Sequence, residues 1–504
     1  MKSIGRTWLC LLLTAVMLAA GLVSCGKNGK QVPEDTETVT VDDRNGSNVP
    51  ASVTFPGQEV NILIHTGMRE EFVSEEEEVS TLIGNAVYRR NALTEEKRAI
   101  ALNYIPREGA TSGPYQNTIR TSIMSGTHPY DIVSGNAYYT AALASEGLFL
   151  NLNNRLDGKN YIVSSADWYN KSFVTDTSYR DRLYYLVGDM TISAIDRTPL
   201  IFFNEDLMSE WNITDDVYSA TLDGEWTIEY LRSLVKDVYR DVDGMGEKDK
   251  SDLYGLVFNG GSMAIDGMIA SVGIRVTAFG EDGEINLAWD DPTGAAGFAE
   301  IYRLMYSSDG VFTGFNSQGN YYGTATSYFS EQAFYEKRAV FATGMLMAAK
   351  SFATVTNLHY GILPLPKYEQ EQDYRTTPQD GYTVIAVPYN VDDRVEIATA
   401  TLETLFEESY RVIRPVYYDT VYKVRYASSE NTARLFDTII GSISFDFGAF
   451  YSHSINDPVH LLRNRLTGEG GMQASPNMLF VTAMNSDSVS EYLTDLVGKF
   501  DQLT

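Results

Sequence analysis

The sequence predicts an α/β fold, with parallel strands covered by helices on both faces, divided between two large domains. Short apolar segments typical of strands alternate with segments whose apolar residues recur at helical spacing. The chain has 504 residues, which is too many for a single hydrophobic core. No internal repeat of roughly 20 to 50 residues is visible, which argues against solenoids and propellers.

The predicted strands are short apolar runs bounded by polar or small residues. In chain order they cover residues 60–64, 99–105, 131–133, 200–203, 254–258 and 339–342. Helical segments separate the first three of these runs, so we expect their strands to lie parallel in one sheet.

The predicted helices lie between these strands and after the last of them. They cover residues 118–124 and 139–145, a segment that begins at Thr227, and residues 395–414. Thr227 is an expected N-cap, and Ile228, Leu231 and Val235 recur along one face of the helix that follows it. Pro415 should break or kink the last helix, because proline has no backbone N–H to donate.

The N-terminus is typical of a bacterial export signal that ends in a lipobox. Lys2 and Arg6 precede an apolar run that closes with Leu-Val-Ser-Cys at residues 22–25. This order predicts a lipoprotein signal peptide over residues 1–24 and lipidation of Cys25. The alternative is an uncleaved transmembrane anchor, but the run is shorter than the ~20 residues of a bilayer span and no basic stop-transfer cluster follows it.

Composition limits the compartment and the partners. The only cysteines are Cys10, inside the signal peptide, and Cys25, so the mature domain forms no disulfide. The formal net charge of −28 should repel phosphate backbones and anionic lipid. We therefore expect no nucleic-acid partner and no membrane contact except through the lipid. Residues 25–56 are rich in Gly, Ser, Thr, Asp, Asn and Pro, which predicts a flexible tether.

No catalytic motif is recognisable in the sequence. The histidines are His65, His128, His359, His453 and His460, and none forms a metal-binding pair by spacing. The sequence also lacks a nucleophile elbow, a phosphate loop and a dinucleotide fingerprint. Among 67 acidic residues, no carboxylate pair for glycosidic cleavage can be singled out. We expect a non-enzymatic protein that needs no cofactor.

One acidic segment resembles a calcium loop. Its candidate ligands are Asp241, Asp243, Glu247, Asp249 and Asp252, with Gly246 at the position of the sharp turn. Met245 stands where an oxygen ligand is expected, and Asp252 is shorter than the usual bidentate glutamate. The alternatives are a structural Ca²⁺ site and a solvated turn that joins a helix to a strand.

Polar residues gather where strands end. In open α/β sheets, ligands bind beyond the carboxyl ends of the strands. Four predicted strands end in small, polar or aromatic residues, a mixture that suits the hydroxyl groups and C–H faces of sugars. The candidate ligand-binding residues around these turns and the later strand are His65, Thr66, Arg69, Asn136, Tyr138, Tyr139, Asn259, Ser262, Thr343, Gly344 and Tyr382.

Several segments, in order, resemble a known family. They are Tyr130–Asn136, Leu200–Leu207, Trp226–Leu231, Asp241–Gly255, Tyr360–Pro366, Tyr382–Pro388 and Glu408–Arg411. Together they resemble the family 1 extracellular solute-binding proteins of ABC importers, relatives of the maltose-binding protein. The resemblance spans roughly residues 58–450. One departure is that Met345–Lys350 lacks the aromatic residue that in this family often stacks on sugar.

The resemblance implies a two-lobe periplasmic-binding-protein type II fold with a ligand cleft between the lobes. Strands would cross the hinge near residues 188–197 and 360–366, with Asp189 and Thr191 at the cleft floor. The implied lobes are, in sequence terms, an N-terminal lobe of residues 55–192 plus 367–408 and a C-terminal lobe of residues 193–366 plus 409–504.

The function implied is capture of a solute outside the cytoplasm by a monomeric, lipid-anchored protein, which closes on the solute and delivers it to a membrane permease. A carbohydrate is favoured, although peptides, polyols and polyamines remain open. The alternatives are a secreted carbohydrate-active enzyme and a surface adhesin or scaffold lipoprotein.

Overall fold

The computed structural model describes residues 47–74, 81–109, 113–127, 129–259, 264–313, 329–418, 430–469 and 473–503, all within one compact unit. The predicted signal peptide, Cys25 and most of the tether lie outside these residues, as do His128 and Ser262. Within the described ranges, no helix combines the length and the apolar composition that crossing a membrane requires.

The first sheet has the order β12-β3-β1-β2. Its strands are β1 Gln58–His65, β2 Ile100–Arg107, β3 Ile132–Asn136 and β12 Thr383–Ala386. β2 and β3 both run parallel to β1, as the sequence predicts, and β12 runs antiparallel to β3. Each predicted strand overlaps an observed one. Because the three parallel strands point the same way, β1 and β3 deliver His65 and Asn136 to the same edge of the sheet.

The second sheet is mixed and has the order β11-β4-β10-β6-β5, with β9 beside β6. Its strands are β4 Pro199–Asn204, β5 Tyr239–Arg240, β6 Leu253–Val257, β9 Val311–Phe312, β10 Ala339–Met345 and β11 Tyr360–Leu363, and a separate hairpin joins β7 Thr277–Phe279 to β8 Ile285–Leu287. β4 runs antiparallel to β10, and Pro199 pairs with Met345. β4 therefore begins at the edge where β10 ends.

Helices cover the two sheets. They are α1 Leu82–Arg98, α2 Gly113–Met124, α3 Ala137–Thr140, α4 Lys171–Thr177, α5 Ser193–Asp196, α6 Glu205–Glu210, α7 Val217–Leu222, α8 Ile228–Val235, α9 Ile265–Ser271, α10 Pro292–Tyr306, α11 Phe329–Tyr335, α12 Ala348–Phe352, α13 Val395–Glu408, α14 Glu430–Gly441, α15 Phe447–Phe450, α16 Pro458–Thr467 and α17 Met478–Gln502. Thr227 caps α8, as predicted, by accepting from the Tyr230 N–H at 3.2 Å.

The two sheets and their helices form the two lobes. We call the part around the first sheet the first lobe and the part around the second sheet the second lobe. The chain passes from the first lobe to β4 through residues 187–198, the first crossing segment, and returns from β11 to β12 through residues 364–382, the second crossing segment. One apolar core fills the second lobe and extends along the first sheet, and another covers the sheet's other face.

The helix that contains Pro415 does not break there. α13 ends at Glu408, and the winding changes to a π-helix over Ser409–Ile413, after which the chain stays helical to Tyr418. A π-helical turn bonds residues five apart, so it accommodates a residue that the regular α-helical ladder would exclude. Of the two predicted effects of Pro415, the break is therefore wrong and the kink stays a prediction, and the helical segment reaches further than the sequence suggests.

The end of the tether is bonded to α13. The Ser47 hydroxyl donates to Glu407 at 2.6 Å, and the Asn48 amide donates to Glu403 at 2.8 Å. Val49 is fully buried, and Arg98 donates to the Pro50 carbonyl at 3.0 Å. Residues 47–50, which the sequence assigns to the tether, are thus bound to the first lobe.

The C-terminal helix α17 contacts both lobes. It packs on α10 and β8 of the second lobe and on the 3-10 turn Ala141–Glu146 of the first. Near its end, the Phe500 ring stacks on Tyr184 with centroids 5.5 Å apart. Near its start, the Trp289 indole donates to the Ser486 hydroxyl at 3.1 Å. The last helix therefore spans the two lobes rather than belonging to one of them.

Candidate functional site

The strand ends of both lobes meet at the two crossing segments. Thr383 of β12 pairs with Asn136 at the end of β3, and its backbone N–H donates to the Ser193 hydroxyl at 2.9 Å. On the second lobe, the N–H groups that follow β10 donate to crossing-segment carbonyls, Leu346 to Thr198 at 3.0 Å and Met347 to Asp196 at 2.9 Å. We call residues 193–198 and 379–383 the cleft floor, because both ligand edges reach it.

A buried carboxyl, Glu71, ties the turn after β1 to the first crossing segment and to the start of β12. Glu71 is 1% exposed and accepts from the Ser193 N–H and from the Thr383 hydroxyl, both at 2.5 Å. Burial raises the pKa of Glu71 to about 7, although these hydrogen bonds oppose the shift. Because Glu71 bonds Ser193, a rotation of the first crossing segment would also move the turn that follows β1.

His65 lies beside this network. Its Nε2 is 3.3 Å from the Thr383 hydroxyl, and the side chain is buried. Burial, with the nearby positive charge of Arg197, lowers the pKa of His65 to about 4. The imidazole is therefore neutral at ordinary pH and is available for hydrogen bonding.

Arg197 places a cation in the cleft floor. One of its Nη atoms donates to the Gln379 side chain, and its main-chain carbonyl accepts from the Gln379 N–H at 2.9 Å. Among the described residues, no acceptor bonds its buried Nε. A Cβ at Gly381 would lie 2.9 Å from the guanidinium, so the second crossing segment needs glycine there for Arg197 to approach.

The second lobe contributes charged and flexible groups to the same place. Asp196 forms an ion pair with Lys350 at 2.8 Å and accepts from the Tyr417 hydroxyl. Met347 is 37% exposed beside it. Glu331 accepts from the Met345 N–H at 3.0 Å, and burial raises the pKa of Glu331 to about 7. The edge of the second lobe is therefore polar but nearly balanced in charge.

Tyr138 connects the first lobe to the C-terminal elements. Its hydroxyl donates to Asp457 at 2.8 Å, and its ring lies 4.9 Å from His453 and 5.7 Å from His460, between centroids. Together with Asp380, it lines a cavity of about 90 Å³ between the lobes. A side chain from the ligand edge of the first lobe thus reaches across to the second half of the chain.

The structure separates the sequence-predicted residues into groups. His65, Asn136, Tyr138 and Tyr382 lie around the cleft floor on the side of the first lobe, with Tyr139 packed edge-on against Tyr138. Thr66 is exposed, and Arg69 is half-buried in the turn after β1.

Three of the residues predicted in the second lobe support the backbone. Asn259 and Thr343 are buried, and the Asn259 N–H donates to the Thr343 hydroxyl at 2.6 Å. Gly344 lies so close to Phe202 and Glu331 that a Cβ would come within 3.0 Å of both. Ser262 and Cys25 lie outside the described residues. The roles predicted for these residues in ligand binding stay predictions.

Asp189 and Thr191 lie in the first crossing segment, next to the cleft floor, and their predicted role in ligand binding stays a prediction. Asp189 lines a cavity of about 300 Å³ together with Trp168, Tyr410, Arg414, Tyr418 and Ile443. We call this the hinge cavity. It shares no lining residue with the cavity at Tyr138 among the described parts of the chain. The Thr191 hydroxyl bonds the backbone of Gly188.

Sequence reasoning missed Glu71, Asp196, Arg197 and Gln379. It searched the residues after strand carboxyl ends, whereas Asp196 and Arg197 precede β4. When a strand begins at the ligand edge, the residues that can contact a ligand come just before that strand in the sequence. That signal, Asp196-Arg197-Thr198 ahead of an apolar run, was present in the sequence.

The acidic loop brings three of its five predicted metal ligands together. Carboxylate oxygens of Asp241, Asp243 and Asp252 lie within 4.8 Å of one another, while Glu247 and Asp249 are not part of the group. Their oxygens already accept backbone N–H groups, as in the bond from Val242 to Asp252 at 2.9 Å. Three carboxylates fit the donor chemistry of calcium, and the calcium site stays a prediction.

The fold is that of the substrate-binding proteins of ABC transporters. It is similar to UgpB from Mycobacterium tuberculosis in complex with glycerophosphocholine (TM-score 0.56, 12% identity, covering 88% of this chain and 100% of that one). It is also similar to the ABC substrate-binding protein Lmo0181 from Listeria monocytogenes in complex with cycloalternan (TM-score 0.52, 12% identity, 89% and 100%).

A third similar structure is maltose-bound MalE3 from T. maritima (TM-score 0.50, 13% identity, 87% and 98%). A scan of protein-family models and a search of curated proteins returned no match. At these identities the likeness establishes the fold, and it confirms the two-lobe architecture that the family resemblance implies.

Proposed function

We propose that this protein is the solute-binding component of an ABC importer, held at the outer face of the cell membrane by a lipid on Cys25. The observation that carries the proposal is the cleft floor, where the ligand edges of both lobes bond the first crossing segment. In this arrangement a solute at the floor contacts both lobes at once. The similar solved structures, which are binding proteins rather than enzymes, support a role without catalysis.

Binding would act by shifting the population of lobe arrangements. A solute that contacts both lobes favours the closed form in proportion to the contacts made only there. Glu71 would couple this motion to the ligand edge of the first lobe, because it bonds Ser193 of the first crossing segment and Thr383 of β12. The closed form would then present the surface that a permease recognises, with a separate ATPase supplying the energy.

The solute we propose is an uncharged carbohydrate. Charged groups at the floor have partners within the chain, since Asp196 pairs with Lys350 and Arg197 lies near Asp380. A solute with net charge would have to disrupt such a pair, whereas hydroxyl groups can join the existing hydrogen bonds. Tyr138 adds a ring face beside them.

A thermal-shift screen tests the proposal. Sugars, polyols, short peptides and polyamines are added to the purified protein, and a solute at ~100 times its dissociation constant should add about 2.7 kcal/mol of stability. Arg197→Gln should weaken the response to the solute at least about tenfold, the effect of one charge-assisted hydrogen bond. Arg303→Gln is the matched control, because Arg303 is exposed on α10 and pairs only locally with Glu300 in the described structure.

Two outcomes would contradict the proposal. Turnover of a glycan by the purified protein would favour the secreted enzyme, and the absence of a response to every solute would favour the adhesin or scaffold. The lipid anchor is tested separately by fractionation: Cys25→Ser should release the protein from the membrane fraction, and retention there would exclude lipidation as the anchor.

A further inference from the structure

Besides the exposed ion pair of Lys171 and Asp167, the lining of the hinge cavity contains an acid and a base, Asp189 and Arg414, that are only loosely paired. Asp189 is 7% exposed, and one Nη of Arg414 approaches its carboxylate at 3.4 Å. Within the described residues this is the one hydrogen bond that the Arg414 side chain donates. A guanidinium has five N–H donors, so most of its capacity in this cavity is unused.

The guanidinium of Arg414 is held in place by two rings. Its central carbon lies 5.1 Å from the centroid of Tyr410 and 5.1 Å from that of Tyr418. Stacking between aromatic rings fixes the plane of a guanidinium and leaves its edge free to bind a carboxylate with two parallel hydrogen bonds. Trp168 extends the aromatic wall, with its ring 6.3 Å from that of Tyr410.

The volume and the charges limit what can bind there. At ~30 Å³ for each water molecule, the cavity of about 300 Å³ has room for about ten waters, or a ligand of comparable size. A simple anion would face Asp189, and a simple cation would face Arg414. A neutral ligand would use neither charge.

We propose that the hinge cavity is a second binding site, for an α-amino acid in its zwitterionic form. The ligand carboxylate would accept from Arg414, and the ligand ammonium would donate to Asp189. The four charges would then alternate in sign around a ring, and the ligand side chain would pack on Tyr410, Tyr418 and Trp168. This site borders the cleft floor, since Ala194 and Ile195 also line the cavity, but its two charged groups lie outside the floor, and the proposal goes beyond the capture of a carbohydrate.

Occupancy of the site would bear on lobe movement. The cavity is lined by Asp189 of the first crossing segment and by Arg414 of the helical segment that follows α13, with Ile443 of the segment after α14 beside them. α14 packs on β11 of the second lobe, whereas α13 packs on α1 of the first. An amino acid here would therefore contact parts that move relative to each other when the lobes close.

Thermal shift with the common L-amino acids, each tested alone, measures the predicted binding. We expect at least one of them to raise the melting temperature. Its amide, which lacks the carboxylate, and its N-acetyl derivative, which lacks the ammonium, should each bind at least about tenfold more weakly, because each removes one charged contact. No response to any amino acid, or equal binding of both derivatives, would overturn the proposal.

Variants assign the binding to this cavity. Arg414→Gln and Asp189→Asn should each weaken binding of the amino acid at least about tenfold, and Arg303→Gln, the control, should leave it unchanged. Arg414→Lys keeps the charge but loses the planar fork, so it serves if Arg414→Gln does not fold, and it should also weaken binding. Unchanged affinity for the amino acid in both Arg414→Lys and Asp189→Asn would exclude the hinge cavity as its binding site. The response to a cleft-floor solute, measured on the same variants, separates the two sites.

Discussion

Single residues at the cleft floor owe their positions to partners that are remote in the sequence. His65 could be predicted as a site residue because it follows a strand directly. Glu71 could not, since its partners Ser193 and Thr383 lie 122 and 312 positions further along the chain. No local pattern records such a contact. Sequence reasoning therefore found the edge of the site but not the carboxyl that links this edge to the first crossing segment.

A buried carboxylate also organises the acidic loop. Asp252 is fully buried and accepts from the Val242 N–H at 2.9 Å, the Asp249 N–H at 3.2 Å and the Tyr239 hydroxyl at 3.0 Å. Asp252→Ala should lower the free energy of unfolding by about 1–3 kcal/mol, because it leaves three partly buried donors without their shared acceptor. Urea denaturation with chelator present measures the change.

Asp243→Ala is the matched control, because Asp243 is exposed and accepts a single backbone bond, from Met245, within the described loop. It should cost less than about 0.5 kcal/mol in chelator. The same pair tests calcium: stabilisation of the natural protein by Ca²⁺ that disappears in Asp243→Ala would support the metal site. Equal losses in the two variants would contradict the structural role of Asp252.

For the strands and helices, the spacing of apolar residues predicts which elements form better than it predicts where they end. The strands could be predicted because their apolar runs are short and lie between polar or small residues. Helix α8 could be predicted because its N-cap residue and its apolar face both indicate the same helix. The segment around Pro415 is not, because a π-helical turn has no distinct sequence pattern. The direction of β4 also escapes local reasoning, because it depends on where the crossing segment enters the second sheet.

The C-terminal helix α17 offers a direct test of an element that joins both lobes. Phe500 is 1% exposed, stacks on Tyr184 and meets the Tyr451 ring edge-on at 5.3 Å. Phe500→Ala should cost about 3–5 kcal/mol, the range for removing a buried aromatic side chain. Thermal or urea unfolding measures it.

Phe480→Ala on the same helix is the control for that substitution. Phe480 is 55% exposed, and its ring lies under the Arg465 guanidinium. Losing this exposed contact should cost no more than about 1 kcal/mol. A loss at Phe500 as small as that at Phe480 would mean that α17 is not anchored on the first lobe in solution.

For the whole molecule, buried carboxyls set the dependence of stability on pH. Burial raises the pKa of Glu71, Glu331 and Glu403 to about 7. Acids whose pKa is higher in the folded state contribute stability that is complete below about pH 4.5 and is lost as the pH rises through 7. His65, whose pKa is lowered, acts in the opposite sense but is one group.

We therefore expect the free energy of unfolding to be larger at pH 5 than at pH 8, as measured by urea denaturation across that range. Glu71→Gln mimics the protonated acid, so it should reduce the difference by about 1–3 kcal/mol. The exposed Glu229→Gln on α8 should leave the profile unchanged. Parallel profiles for the natural protein and Glu71→Gln would show that Glu71 is not protonated preferentially in the folded state.

The bonds from Ser47 and Asn48 to α13 decide how far the molecule can travel from its anchor. With Cys25 lipidated as proposed, about 22 residues lead from the bilayer surface to Ser47, a leash of at most ~80 Å when fully extended. The permease that we propose as the partner would therefore lie within that distance of the lipid.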